Sequence, residues 1–119
     1  MMKHTLLTLF MFLSLLCHGQ SYKFFTTDRE LSSSLINKIY QDRNGMIWIA
    51  TEDGLNRYDG AKFVIYKHDP ENEHSLCHNY VRALYEDSKG RLFVGTYNGI
   101  QLYDPATDSF STQAQWEDG

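Results

Sequence analysis

The sequence predicts an all-β protein made of two four-stranded antiparallel sheets of one design, and three observations predict it. Residues 45–60, GMIWIATEDGLNRYDG, return forty-five positions later as GRLFVGTYNGIQLYDP at 90–105. Within each copy, apolar residues come in bursts of five to seven, rich in Ile, Val, Phe, Tyr and Trp, and such bursts read as strands rather than helices. The bursts are separated by RNG, EDG, SKG and YNG, where Gly supplies the turn conformations that hairpins need.

In chain order, the first element is MMKHTLLTLFMFLSLLCHGQ. Lys3 and His4 give it a positive start, Thr5 to Leu16 an apolar run, and Cys17-His18-Gly19 a site with small residues at both ends. This is signal-peptide grammar, and it predicts a segment 1–19 cut between Gly19 and Gln20. The run is shorter than the roughly 20 apolar residues of a membrane-spanning helix. Cleavage leaves Cys77 as a single cysteine, so no internal disulfide is expected.

Residues 20–34 form a lead-in with a short strand over YKFFTT. The first repeat unit is placed at 35–68, with strands in INKIYQD, MIWIAT, LNRYD and FVIYKH. A polar link follows at 69–80, DPENEHSLCHNY, and the second unit is placed at 81–119, with VRALYED, RLFVGT, IQLYD and FSTQA. Laid over one another without a gap, residues 31–60 and 76–105 pair Leu31 with Leu76, Tyr40 with Tyr85 and Asp42 with Asp87. Thr51 pairs with Thr96, Gly54 with Gly99, and Tyr58-Asp59 with Tyr103-Asp104. Asp42 and Asp87 are expected to bond turn amides closed by Gly45 and Gly90, and Thr51 and Thr96 to bond the next turn. All these recurring residues serve the fold, and none is assigned to catalysis.

A repeat of about 40–50 residues with four strands per copy is the spacing of β-propeller blades. The fold class expected is therefore two four-stranded antiparallel blades of an incomplete β-propeller, preceded by a signal peptide. A blade cannot bury both faces alone, so two blades and a lead strand are expected to be a fragment of a longer protein. Further blades of the same polypeptide are its expected structural partners. Mid-strand Trp48 and Phe93 are expected to pack between blades.

The pattern D-x-x-G-x-[IL]-[WF]-[IV]-[AG]-T-x-x-G-[LI]-x-x-Y-D, at Asp42–Asp59 and again at Asp87–Asp104, resembles the two-component regulator propeller repeat. Phe93 departs from the commoner Trp. The resemblance implies the N-terminal periplasmic part of a Bacteroidetes-type hybrid two-component sensor histidine kinase. It implies an oligosaccharide ligand, an exported location with the parent in the inner membrane, and a homodimer of the full-length sensor. No kinase histidine motif, nucleotide-binding glycine box or second hydrophobic span is present in these 119 residues, so the chain itself is expected to be non-catalytic and to meet a membrane only through parts beyond it.

Ligands gather on the propeller face that collects the loops between second and third strands and the interblade links. Here those loops carry Glu52-Asp53 and Tyr97-Asn98, which differ while their flanks agree, and these four are the candidate ligand-binding residues. The same residue types also serve as ordinary solvated turn positions. His68, His74, Cys77 and His78 have no standard zinc-finger spacing, and neither a metal nor a cofactor is expected. Eleven Lys and Arg are scattered against fifteen acids, with a net charge of −4, so no nucleic-acid partner is expected. No located pair of carboxylates or nucleophile elbow supports hydrolysis. The rival readings are a fragment of an exported propeller enzyme, a polysaccharide lyase or glycosidase, and a propeller interaction scaffold.

Overall fold

A computed structural model describes residues 31–112. The expected signal peptide 1–19 and the strand expected over 22–27 fall outside the described residues. The rest is all strand and turn. The first sheet runs β1 (Ile36–Gln41), β2 (Ile47–Thr51), β3 (Gly54–Tyr58) and β4 (Phe63–Tyr66). The second runs β5 (Val81–Glu86), β6 (Leu92–Thr96), β7 (Gly99–Asp104) and β8 (Ser109–Thr112). Both are antiparallel meanders in sequence order, β1-β2-β3-β4 and β5-β6-β7-β8.

The turn chemistry follows from the recurring residues. Asp42 Oδ1 accepts the backbone N–H of Asn44 at 2.9 Å and of Met46 at 3.0 Å. Asp87 Oδ1 does the same for Lys89 and Arg91, and those bonds, led by the Arg91 amide, hold the Asp87 carboxyl below its ordinary range. In the next turn, Thr51 Oγ1 accepts the Asp53 N–H and donates to the Gly54 carbonyl, and Thr96 repeats both bonds with Asn98 and Gly99. Gly54 and Gly99 sit at φ 122° and 115°, which an L side chain rarely adopts.

Strand alternation sorts each sheet into two faces. One face of the first sheet carries Tyr40, Trp48, Ala50, Leu55, Arg57 and Tyr66, each paired across strands in register. It packs on the opposite face of the second sheet, which carries Leu84, Leu92, Val94, Tyr103 and Phe110. Trp48 is 1% exposed, with its ring 4.8 Å from Tyr103 and 6.0 Å from Tyr66. Burying each large apolar side chain of this kind contributes about 1.5–3 kcal/mol, so the seam between the sheets is the principal core. Leu31 and Leu76 open equivalent lead-in segments that cap the sheets: Asn56 Oδ1 accepts the Ser32 N–H, as Gln101 Oε1 accepts the Cys77 N–H.

Trp48 thus packs between blades as expected. Phe93 is half-buried on the outer face of the second sheet, 6.4 Å from Tyr85. At matching positions, Leu55 is 0% exposed and Ile100 is 57% exposed. The second sheet therefore leaves open the face that the first sheet buries.

Two polar latches span the seam. At one, Arg57 Nη1 donates to the Tyr103 hydroxyl at 2.6 Å, and the hydroxyls of Tyr103 and Tyr66 donate to Asp108 Oδ1 at 2.6 and 2.5 Å. Burial pushes the Asp108 carboxyl up, but the two hydroxyls and the guanidinium outweigh it and leave the group below its ordinary value. At the other, the Tyr40 hydroxyl and the Arg43 N–H donate to Glu86, and Arg43 Nη2 donates to the Ser88 carbonyl at 2.8 Å. Neither latch was read from the sequence, because each joins residues about 45 apart whose equivalents one copy later differ: Leu102 stands where Arg57 does, and Ser88 where Arg43 does.

Candidate ligand-binding face

The β2–β3 turn, the β6–β7 turn and the end of the link at 77–80 come together at one end of the two sheets. Backbone bonds fix this arrangement: Gly54 N–H donates to the Asn79 carbonyl at 2.6 Å, and Tyr97 N–H to the Tyr80 carbonyl at 3.2 Å. Asn79 Oδ1 also accepts the His68 N–H, which ties the link to the end of the first sheet.

The structure brings two of the four sequence-predicted residues together and separates the other two from them. Glu52 and Tyr97 meet through Tyr80. The Tyr80 hydroxyl donates to Glu52 Oε1 at 3.0 Å, and the Tyr80 and Tyr97 rings stack at 4.0 Å and 8°. Hydrogen bonding with Tyr97, then with Glu52, pushes the Tyr80 phenol up to about 12. Asp53 instead pairs with Lys67 Nζ at 3.0 Å. Asn98 Nδ2 donates to the Cys77 carbonyl at 3.3 Å and so serves the turn.

Around the tyrosine stack lie His78, whose ring is 5.7 Å from Tyr97, and Arg82, whose guanidinium sits 5.2 Å from the Tyr97 ring centre. The His78 Nδ1 accepts the Tyr80 N–H at 2.9 Å, which fixes that tautomer. Sequence reading passed over Tyr80 as the end of a polar link and over Arg82 as a strand residue. The signal that would have found Arg82 is a β-bulge. Val81 pairs with Thr96 and Ala83 with Gly95, so Arg82 is the extra residue, and a bulge turns a side chain away from the ladder. The first sheet has the same irregularity, with Asn37 in that place.

The four residues of the H-x5-H-x2-C-H segment take separate partners. His68 Nδ1 lies 2.8 Å from the Leu76 carbonyl, His74 Nε2 lies 3.4 Å from Glu73, and Cys77 Sγ lies 3.1 Å from Thr96 Oγ1. Among the described residues no group of three His, Cys, Asp or Glu is placed to hold a metal ion. Two open depressions, of about 380 and 250 Å³, lie over the link and β8, and neither is lined by Glu52, Asp53, Tyr97 or Asn98. No helix among the described residues is long and apolar enough to cross a membrane, which leaves aside spans made of strands.

Two four-stranded meanders, repeated at forty-five residues and stacked outer face on inner face, are neighbouring blades of a β-propeller. Residues 30–53 and 75–98 each match the family model described as two component regulator propeller. It is similar to Histidine kinase P4 of Formosa agariphila, with 41% identity over 72 residues, covering 57% of this chain and 5% of that relative. The chain therefore spans about one-twentieth of the curated relative it matches. In fold it is similar to the extracellular domain of a protein assigned to a one component system of B. thetaiotaomicron, with TM-score 0.62 and 24% identity over 76% of this chain and 13% of that one. A looser alignment, TM-score 0.40 at 23% identity, joins it to the extracellular domain of a protein assigned to a hybrid two component system of the same organism, over 76% of this chain and 20% of that one.

Proposed function

We propose that this chain is a ligand-sensing propeller segment of a two-component sensor, working outside the cytoplasm and contributing part of an oligosaccharide-binding face. The observation that carries the reading is the repeat itself, present twice at one spacing, together with 41% identity to a protein named as a histidine kinase. Similarity in fold to an extracellular domain supports the location. On this reading residues 1–19 act as the export signal, and the chain does no chemistry of its own. Histidine kinase activity belongs to the longer parent, anchored in the inner membrane and acting as a homodimer.

The face suits a sugar in part. Tyr80 and Tyr97 offer aromatic surface, and Glu52 offers a carboxylate that can share hydroxyl hydrogen bonds. Asp53 and Asn98 stand at its margin. Binding reaches a kinase only if the ligand has different affinity for two arrangements of the propeller and the parts that follow it.

The test is a glycan array probed with the complete polypeptide that carries these blades, followed by autophosphorylation with and without each binder. Binding of an oligosaccharide that also changes phosphorylation supports the reading. Binding to no glycan removes the sugar, and binding without any phosphoryl transfer removes the kinase.

A further inference from the structure

Half of the seam between the sheets is written a second time. Tyr40, Trp48 and Leu55, on the face that the first sheet turns to the second, recur forty-five residues on as Tyr85, Phe93 and Ile100. The first set packs into the core, with Trp48 and Leu55 buried. In the second set Tyr85 is 64% exposed, Ile100 is 57% exposed and Phe93 is half-buried. Large apolar side chains exposed singly are ordinary, but three on one face, in the register of a seam that is buried one copy earlier, mark an interface.

The polar donors of the seam recur with them. At the described seam the Tyr40 hydroxyl donates to Glu86 Oε1 at 2.9 Å, the Arg43 N–H to the same oxygen at 3.2 Å, and Asn37 Nδ2 to the Val81 carbonyl at 2.8 Å. Two acceptors thus receive the first sheet, a carboxylate at the end of β5 and a main-chain carbonyl at its start. The matching donors on the second sheet are the Tyr85 hydroxyl, the Ser88 N–H and Arg82, which the bulge sets in the place of Asn37. Two guanidiniums do not recur, since Ser88 stands where Arg43 does and Leu102 where Arg57 does.

We propose that the open face of the second sheet seats a further blade of the same polypeptide in the geometry of the described seam, and that the first strand of that blade ends in an Asp or Glu accepting the Tyr85 hydroxyl and the Ser88 N–H. The main-chain carbonyl at the start of that strand accepts Arg82, as the Val81 carbonyl accepts Asn37. The carboxylate is held by a phenol and an amide alone, and Leu102 makes the other end of the seam apolar. A second copy of this chain, stacked in the same sense, would bring Gln41 to the place of the acid. Continuity with the described seam favours a blade instead, and the 72 aligned residues fill only 5% of the relative they match, which leaves length for more blades in a chain of this kind. The inference rests on the repeat and the seam, and is independent of the saccharide reading.

The experiment uses the complete polypeptide that carries these blades, with p-benzoylphenylalanine in place of Tyr85, irradiated at several protein concentrations and digested for mass spectrometry. The expected crosslink lies within one polypeptide at every concentration, in a peptide of the repeat that follows, beside an Asp or Glu at the end of its first strand. In urea unfolding, Tyr85→Phe is expected to lower the midpoint as Tyr40→Phe does. Combined with the amide variant of the crosslinked acid, its loss is expected to fall short of the sum of the two single losses. A crosslink between two copies that strengthens with concentration makes the occupant a second copy and overturns the inference. A crosslink confined to the two described sheets, or none at all, leaves the face without a blade and overturns it as well. A following strand with no acid there, or losses that simply add, removes the carboxylate and with it the proposal.

Discussion

The two repeats satisfy the same turn carboxylate by different means, and this gives a quantitative test of how the blades are built. In the first, the Trp48 indole N–H donates to Asp42 Oδ2 at 2.9 Å. In the second, Phe93 has no donor, and Arg91 Nε reaches Asp87 Oδ2 at 2.7 Å with its guanidinium 5.6 Å from the Phe93 ring centre. Met46 stands where Arg91 does. Trp48→Phe keeps an aromatic in the seam but strips the donor from a carboxylate. A hydrogen bond to a charged group contributes about 1.5–3 kcal/mol. Asp42 keeps partial access to water, which favours the lower end, and the smaller ring loses about 1 kcal/mol of packing. The expected cost is about 2–3 kcal/mol. Met46→Arg alone gives up packing of a half-buried methionine against the core, about 1 kcal/mol. Together they rebuild the arrangement of the second blade, and the double variant is expected to be about 1 kcal/mol more stable than the sum of the single effects. Urea unfolding of the wild type, both single variants and the double variant reads this coupling. A coupling within about 0.3 kcal/mol of zero would refute the claim that arginine substitutes for the indole donor.

Further outcomes follow from the turns, the latch and the tyrosine stack. Gly54→Ala should destabilise by more than the about 1 kcal/mol that a positive φ alone costs, by thermal melting, because a Cβ at Gly54 also lies 2.9 Å from the Tyr66 carbonyl oxygen, a contact that no described residue makes with a Cβ at Gly99. A loss of about 1 kcal/mol or less would contradict the close approach. Asp108 has a folded-state pKa below its unfolded value, so its contribution is present above about pH 4 and is lost as pH falls through the folded value. Asp108→Asn should flatten the acid limb of stability, and an unchanged limb in chemical denaturation would count against the latch. Tyr80 has a raised pKa, so its contribution is present below about pH 10 and is lost as pH rises toward about 12. Tyr40, Tyr66 and Tyr103 are raised as well, so ultraviolet titration should show several late tyrosinate steps, of which Tyr80→Phe removes the one near 12; an unchanged amplitude there would count against the assignment.

The fold was legible because local chemistry and the repeat agreed. Asp42, Gly45, Thr51 and Gly54 each impose a turn, and their recurrence at Asp87, Gly90, Thr96 and Gly99 fixed strand order twice over. Burial of Trp48 was legible for the same reason, as an aromatic in mid-strand of a sheet that must stack. The face was only half legible. Loop tips pointed to Glu52 and Tyr97, but their meeting depends on Tyr80, which backbone bonds to Gly54 and Tyr97 bring into place. Asp53 and Asn98 have the right chemistry, yet Lys67 and the Cys77 carbonyl claim them. Arg82 was hidden because strand alternation assigns it a face, and only the bulge shows where it goes. The latches at Asp108 and Glu86 were hidden because their partners lie on different blades and do not recur.

The central claim is that the outer face of one blade meets the inner face of the next. Nuclear Overhauser spectroscopy on selectively labelled tryptophan and tyrosine tests it directly, through the pair Trp48 and Tyr103, whose ring centres are 4.8 Å apart. Strong cross-peaks between the Trp48 indole and the Tyr103 ring are the predicted result. Their absence, with the cross-strand peaks inside each sheet intact, would leave two sheets that form but do not stack, and would contradict the account.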